Sequence, residues 1–258
     1  MTPARSSDPG PAAPPTAGPR DALRLDRVCK SYGRHRALVD VTLTFTPGRV
    51  AAVLGPNGAG KSTMLGILST LVQPSSGQVS WGDQVLGRAS PLRARIGYVG
   101  HEPGLYGDLT ASENLRLFCG LYGLAEAGPR TAALLDRVGL GEVAKDAVVR
   151  TFSRGMQQRL SLARALLPEP DLLLFDEPGS ALDPAGAAWL TAEVALEQAA
   201  GRIVVLVTHD LDAAAAVAEQ IVVLRRGRVV CDQIFDEAGG ARISPAALRG
   251  LYEEKTRV

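Results

Sequence analysis

Residues 50–63, VAAVLGPNGAGKST, decide the fold of this chain. Val50–Leu54 is an unbroken apolar run with the length of a buried strand in a parallel sheet. It leads into a glycine-rich loop of the form G-x-x-x-x-G-K-[ST], and a helix is expected to begin near Lys61. In such a strand–loop–helix unit, backbone N–H groups and the positive end of the helix dipole face phosphate oxygens. The stretch therefore predicts a nucleotide-binding site.

The residues of this loop have separate predicted roles. Lys61 is expected to bridge the β- and γ-phosphates and to act in catalysis, and the Ser62 hydroxyl is expected to hold Mg²⁺. The remaining candidates for nucleotide contact in the loop are Gly55, Asn57, Gly58, Gly60 and Thr63. The alternative, a glycine-rich turn that binds nothing, does not explain why the loop joins a strand to a helix.

Two carboxylates follow another apolar strand, Leu172–Phe175. Acids at the end of a buried strand cost free energy unless a cation or a proton compensates them. We expect Asp176 to bind Mg²⁺ through water and Glu177 to polarise the attacking water. Pro178 should fix the end of the strand and keep Glu177 out of helical geometry. Such acids often only begin a loop, but beside a phosphate-binding loop they indicate a P-loop NTPase, a class that includes kinases and GTPases.

A third segment distinguishes among the families of P-loop NTPases. Phe152–Arg159, FSRGMQQR, precedes the two carboxylates and opens a predicted helix. It resembles the signature sequence of ABC ATPases, usually L-S-G-G-Q, which in that family clamps the γ-phosphate bound to the opposite subunit. Ser153 and Gly155 match the pattern, whereas Arg154 and Met156 replace a glycine and a glutamine. An ordinary capped helix is the alternative.

Two further segments resemble elements of the same family. Ser180–Asp183 resembles the D-loop, which makes contacts across the dimer, and Asp183 also has the pattern of a helix N-cap before Pro184. Val207–Asp210 contains His209 at the position of the family's switch histidine, which contacts the γ-phosphate. A lone histidine is usually structural, but ligands are expected at the carboxyl ends of parallel strands.

Tyr32 and His101 are weaker matches. Tyr32 lies where the family places an aromatic residue that stacks on adenine, and an ordinary packed tyrosine is the alternative. His101 occupies the place of the Q-loop glutamine, a metal-site position. Imidazole nitrogen suits the hard Mg²⁺ ion poorly, so Glu102 could supply the oxygen, or His101 could act through water. If neutral His101 takes part, activity should fall below about pH 6.5, and an unchanged profile in His101→Gln would contradict this.

The resemblance runs from about Leu23 to Cys231, with every motif in family order. It implies an α/β fold: a P-loop NTPase (RecA-like) core, an antiparallel β subdomain and an inserted α-helical subdomain at about 102–168. We expect the ATPase domain to span 21–258. Residues 1–20 contain six prolines and are predicted to form a disordered tail.

Composition and family together indicate the partners. The chain has 28 Lys+Arg against 27 Asp+Glu, so no strong field favours nucleic acid. No apolar run approaches the roughly 20 residues that cross a bilayer. The resemblance implies a homodimer or heterodimer of ATPase subunits that hydrolyses ATP with Mg²⁺ at the cytoplasmic face of the cell membrane. A separate membrane-spanning subunit should dock in an apolar groove near Leu105–Leu117.

The branch of the family is predicted from two segments. Tyr98–Leu105 and Phe152–Met156 look like the haem-exporter ATPases of cytochrome c maturation, which also favour histidine at the Q-loop position. ATPases of drug, antibiotic or lipid exporters share much of this pattern and are the alternative. Non-transport ABC ATPases are a remote one, because they carry coiled-coil insertions or a second cassette, and neither pattern is found here.

Overall fold

The larger of two sheets carries the phosphate-binding loop. The computed structural model describes residues 21–141, 147–180, 182–235 and 242–257, so the predicted tail at 1–20 and Ala181 of the predicted D-loop lie outside the described residues. The strands of this sheet are β3 (Val50–Leu54), β6 (Ile96–Val99), β7 (Leu172–Asp176), β8 (Ile203–Val207), β9 (Gln220–Arg225) and β10 (Arg228–Ile234). Their order is β10-β9-β3-β8-β7-β6, and all neighbours are parallel except the β9–β10 hairpin.

The apolar runs of the sequence form the centre of this sheet. Every residue of β3, β7 and β8 is buried, as expected for strands covered by helices on both faces. Two apolar clusters, one on each face, confirm the predicted α/β fold with a P-loop NTPase core. The carboxyl ends of these strands lie side by side and supply the candidate site.

The smaller sheet is antiparallel, as predicted. Its strands are β1 (Leu23–Tyr32), β2 (His35–Phe45), β4 (Ser76–Trp81) and β5 (Gln84–Val85), in the order β2-β1-β4-β5. Strands β1 and β2 form a hairpin whose polar end pairs Tyr32 with His35. Register shifts along β1 interrupt the alternation of buried and exposed residues there.

Seven α-helices of 7 to 16 residues lie in the described part of the chain. They are α1 (Lys61–Leu68), α2 (Ala111–Tyr122), α3 (Ala127–Arg137), α4 (Arg154–Leu166), α5 (Pro184–Ala199), α6 (Leu211–Val217) and α7 (Pro245–Thr256). A capping box begins α2, with reciprocal hydrogen bonds of 3.2 and 2.8 Å between Thr110 and Glu113. Helix α6 ends at Val217, shortly before β9 begins at Gln220.

Helices α2, α3 and α4 enclose a third apolar core of their own. This core is consistent with an inserted helical subdomain, whose bounds of about 102–168 stay a prediction. An ion-pair network ties it to the main core: Arg137 of α3 donates to Glu193 and Glu197 of α5, and Arg202 also pairs with Glu197. No helix in the described ranges is long and apolar enough to span a membrane.

Candidate nucleotide-binding site

The glycine-rich loop lies between β3 and α1, as the motif requires. Gly60 is the N-cap of α1 with a φ of +107°, a left-handed conformation that favours glycine. A Cβ at this position would stand 2.5 Å from the carbonyl oxygen of Ala37 and 2.8 Å from a methyl group of Leu38. The loop is therefore pressed against β2, and its path depends on the absence of a side chain at Gly60.

Lys61 holds the loop in shape. Its ammonium group donates to the carbonyl oxygens of Gly55 at 2.7 Å and Pro56 at 3.3 Å, and the residue is buried. The side chain thus lies across the mouth of the loop, where a phosphate oxygen could replace one of these acceptors. This position fits the predicted role of Lys61.

Asp176 and Ser62 face each other at the carboxyl end of β7. Asp176 ends β7 and is buried, and its carboxylate accepts a hydrogen bond from Ser62 at the start of α1. Burial raises the pKa of Asp176, and the hydrogen bond from Ser62 acts in the opposite direction. A hydroxyl and a carboxylate oxygen side by side are ligands that suit a hard cation such as Mg²⁺.

The described residues contain no group of three or more His, Cys, Asp or Glu side chains arranged to hold a metal ion by themselves. The two oxygen donors of Ser62 and Asp176 agree with Mg²⁺, which usually takes one or two protein oxygens and completes its shell with water and phosphate oxygens.

Glu177 and His209 form a direct pair. The imidazole Nδ1 of His209 lies 2.8 Å from a Glu177 carboxylate oxygen, and the backbone N–H of His209 donates to the same oxygen at 3.3 Å. The Glu177 side chain is 22% exposed and that of His209 is 75% exposed. Parallel pairing of β7 with β8 brings both residues to the same edge of the sheet.

The phosphate-binding loop and the two carboxylates border one pocket of about 300 Å³, which His209 does not line. The loop residues from Asn57 to Thr63, together with Asp176 and Glu177, line it. His35 of β2 also lines the pocket, a residue that the sequence reasoning missed. The signal for it was the Gly33-Arg34 turn, which places His35 opposite Tyr32 in a hairpin.

Tyr32 lies near this pocket without lining it. Its side chain is 50% exposed at the end of β1, and Lys30 approaches its ring at 5.0 Å from the centroid. Tyr32 is therefore not packed in the core, which was the alternative interpretation. Its stacking on adenine stays a prediction.

His101 and the start of α4 share a second cleft of about 290 Å³. His101, Glu102, Arg154 and Gln157 line this cleft together with Glu177, which borders both clefts. A charge on His101 lowers the pKa of Asp176, so the two residues are electrostatically coupled. The structure thus brings His101 near the site, although its imidazole remains a poor ligand for Mg²⁺.

Three predicted nucleotide contacts lie away from the phosphate-loop pocket of their own chain. Ser153 is the N-cap of α4 and accepts from the Met156 N–H at 3.3 Å, and Asp183 caps α5 by accepting from Gly186 at 2.7 Å. A Cβ at Gly155 would lie 3.6 Å from Leu182, so signature and D-loop are neighbours. The N-cap prediction for Asp183 is confirmed, and the contacts of these residues with a nucleotide stay predictions.

Comparison with known proteins assigns the family. The sequence model described as ABC transporter matches residues 38–180, more than half of the chain. This chain belongs to the ABC transporter family. Within that family it is an ATP-binding subunit and an ATP hydrolase, and its P-loop NTPase fold is shared with solved ABC ATPase cassettes.

Three relatives illustrate the similarity. The daunorubicin resistance ATP-binding protein DrrA3 of Streptomyces coeruleorubidus is 38% identical over 86% of this chain and 72% of its own length. The linearmycin resistance ATP-binding protein LnrL of Bacillus subtilis is 32% identical over 90% of this chain and 76% of its own. The dimeric, ADP- and Pi-bound structure of the ATP-binding cassette MJ0796 superposes with a TM-score of 0.76, at 31% identity, over 83% of this chain and 99% of that one.

Proposed function

We propose that this chain powers an exporter of the drug or antibiotic type by hydrolysing ATP on behalf of a separate membrane-spanning subunit. The names of two relatives, which refer to daunorubicin and linearmycin resistance, favour this branch. The haem-export branch predicted from Tyr98–Leu105 and Phe152–Met156 receives no support from these relatives.

The observation that carries the ATPase mechanism is the convergence of four side chains on one pocket, with a histidine hydrogen-bonded to one of them. Lys61 would bind the β- and γ-phosphates, and Ser62 and Asp176 would hold Mg²⁺, which neutralises charge on the phosphate oxygens. Glu177 would accept a proton from the attacking water. His209, hydrogen-bonded to that carboxylate, would orient it and contact the γ-phosphate.

Completion of the site requires a second ATPase subunit. Ser153, Gly155 and Asp183 do not line the phosphate-loop pocket of their own chain, yet the family resemblance assigns them to nucleotide contacts. In the proposed dimer, each signature helix faces the nucleotide of the other subunit, and the second subunit is either another copy or a related chain. The dimeric structure of the MJ0796 cassette supports this arrangement.

The membrane-spanning subunit is proposed to dock in a groove between β6 and the end of α2, beside rather than along the predicted Leu105–Leu117 segment. This groove has a volume of about 500 Å³ and is lined by Leu71, Arg93, Tyr98 and Tyr122. Leu117 and Leu121 of α2 are exposed nearby on the same helix. Large exposed apolar side chains in one region indicate a protein contact, which would hold the chain at the cytoplasmic face of the membrane.

The experiment that tests the proposal is purification of tagged Glu177→Gln protein with ATP from solubilised membranes, followed by mass spectrometry. We expect an export permease to co-purify. Recovery of cytochrome c assembly factors would establish the haem branch instead. Recovery of ribosomal or DNA-repair proteins without a membrane protein would overturn the transport function.

A further inference from the structure

Helix α4 is fastened to the loop that carries His101 by three hydrogen bonds. The Arg164 guanidinium donates to the carbonyl oxygens of Tyr98 at 2.8 Å and Gly104 at 2.9 Å. The Ser161 hydroxyl donates to the carbonyl of Pro103 at 3.0 Å. The segment from Tyr98 to Gly104 is thus bound at both ends to the helix that begins with the signature sequence.

Arg164 makes the largest share of this attachment. Its guanidinium lies 5.3 Å from the ring centroid of Phe118, and within the described ranges no acidic side chain forms an ion pair with it. Burial lowers the pKa of Arg164, so the cation is retained in an unfavourable environment by carbonyl oxygens and an aromatic ring. A planar fork with two donors is well suited to two carbonyls, and a lysine could reach only one.

The loop is fitted to this side chain. Gly104 has a φ of +60°, and a Cβ there would stand 2.4 Å from the Arg164 Nη1 atom. Any other residue at Gly104 would displace the guanidinium from the carbonyl that it binds. The close approach therefore depends on Gly104 as well as on Arg164.

Loop and helix face the same cleft. His101 in the middle of the loop and Arg154 in the first turn of α4 both line the cleft beside Glu177. The helix extends from this cleft to Arg164 near its other end, where the Tyr98 side chain also lines the groove proposed for the membrane subunit. A movement of the loop without the helix would break the three hydrogen bonds.

We infer that Arg164 is a positioning residue that keeps the His101 loop and the signature helix α4 together as one body during the ATPase cycle. The His101 loop, which faces the nucleotide of this subunit, and the signature residues, which face the nucleotide of the other subunit, are then displaced together. The inference rests on the proposed function, because it requires that His101 and Ser153 act in hydrolysis. Arg164 touches neither nucleotide, so its effect must pass through the His101 loop.

The test compares Arg164→Met with Arg130→Met in purified full-length protein. Arg130 of α3 is the matched control because its guanidinium also donates to a backbone carbonyl, that of Leu167 at 2.7 Å, and it lies outside the signature segment. We expect Arg164→Met to lower kcat at least tenfold with KM for ATP within twofold, since the contacts of Lys61 are untouched. Arg130→Met should keep kcat within twofold, although both variants lose some thermal stability. Arg164→Lys, which retains one donor group, should recover part of kcat if Arg164→Met folds poorly.

A double-mutant cycle with His101→Ala distinguishes positioning from general damage. We expect the double variant to hydrolyse ATP no more than twofold slower than His101→Ala alone. Multiplicative losses, equal effects of Arg164→Met and Arg130→Met, or a wild-type kcat for His101→Ala would overturn the inference. Absence of ATP hydrolysis by the wild-type protein would instead overturn the proposed function.

Discussion

The network between α3 and α5 allows a quantitative prediction for Arg137→Met. The side chains of Glu193 and Glu197 are 8% and 3% exposed, and both accept hydrogen bonds from Arg137, whose side chain is 33% exposed. Burial opposes the charge of Arg137, yet the hydrogen bonds and charges of Glu197 and Glu193 outweigh it and raise the pKa of Arg137. The methionine side chain keeps the apolar stem and removes only the charge and the donors.

The expected cost follows from the charge that is left behind. Removing one partner of a buried ion pair destabilises a protein by about 3–5 kcal/mol. Arg202 still compensates Glu197 after the substitution, so Glu193 is the carboxylate that loses its partner. Because the edge of the network is partly open to solvent at Arg137, we expect a loss of about 2–3 kcal/mol in the free energy of unfolding.

Urea unfolding followed by tryptophan fluorescence measures this loss. Trp189 is a suitable reporter because it lies on α5, the helix that carries Glu193 and Glu197. The central guanidinium carbon of Arg159 lies 4.4 Å from the centroid of its ring. Arg249→Met is the matched control, because Arg249 and its partner Asp212 are 58% and 66% exposed and such surface pairs contribute about 0–1 kcal/mol. Adding Glu193→Gln to Arg137→Met should recover at least about 1 kcal/mol by removing the uncompensated charge. Equal losses in Arg137→Met and Arg249→Met would refute the reasoning.

Three further predictions concern the candidate site. Lys61→Ala should abolish ATP binding measured by calorimetry, and binding with wild-type affinity would remove Lys61 from its proposed role. Glu177→Gln should retain ATP binding but lose about 10²–10⁴-fold in hydrolysis and form an ATP-dependent dimer in gel filtration; undiminished hydrolysis would exclude Glu177 as the base. Gly60→Ala should weaken ATP binding at least tenfold, because its Cβ would meet the Ala37 carbonyl oxygen at 2.5 Å, whereas the exposed Gly120→Ala, with no neighbour within 4 Å, should bind normally.

The sequence predicted the centre of the fold because there one physical signal dominates. Strands β3, β7 and β8 are buried on both faces, so they are continuous apolar runs, and the residues that follow each run are the site residues. The polar hairpin of β1 and β2 gives no such signal, since its residues between Tyr32 and Arg36 face solvent. That is why His35, which lines the nucleotide pocket, was not identified.

Packing between distant segments was also beyond the reach of sequence patterns. The motif reasoning placed His101 in a loop and Ser153 at the start of a helix, but it gave no indication that Arg164 joins them. The partners of Arg164 are backbone carbonyls, which every residue possesses, so no residue type marks them in the sequence. The ion pairs of Arg137 are similar. Its partners Glu193 and Glu197 lie 56 and 60 positions away in the sequence, and they become its neighbours only after α3 packs on α5.

Glu177 shows how the sheet, rather than the motif alone, determines the geometry of the site. The sequence predicted that Pro178 keeps Glu177 out of helical geometry, but the observed φ of +53° lies in the left-handed region, which costs a residue other than glycine about 1–3 kcal/mol. Two contacts offset this cost: the Glu177 N–H donates to the Val207 carbonyl at 2.9 Å, and the carboxylate contacts His209. Both partners belong to β8 or follow it directly. The neighbouring strand therefore holds the proposed base in a strained conformation, with its carboxylate directed toward the pocket.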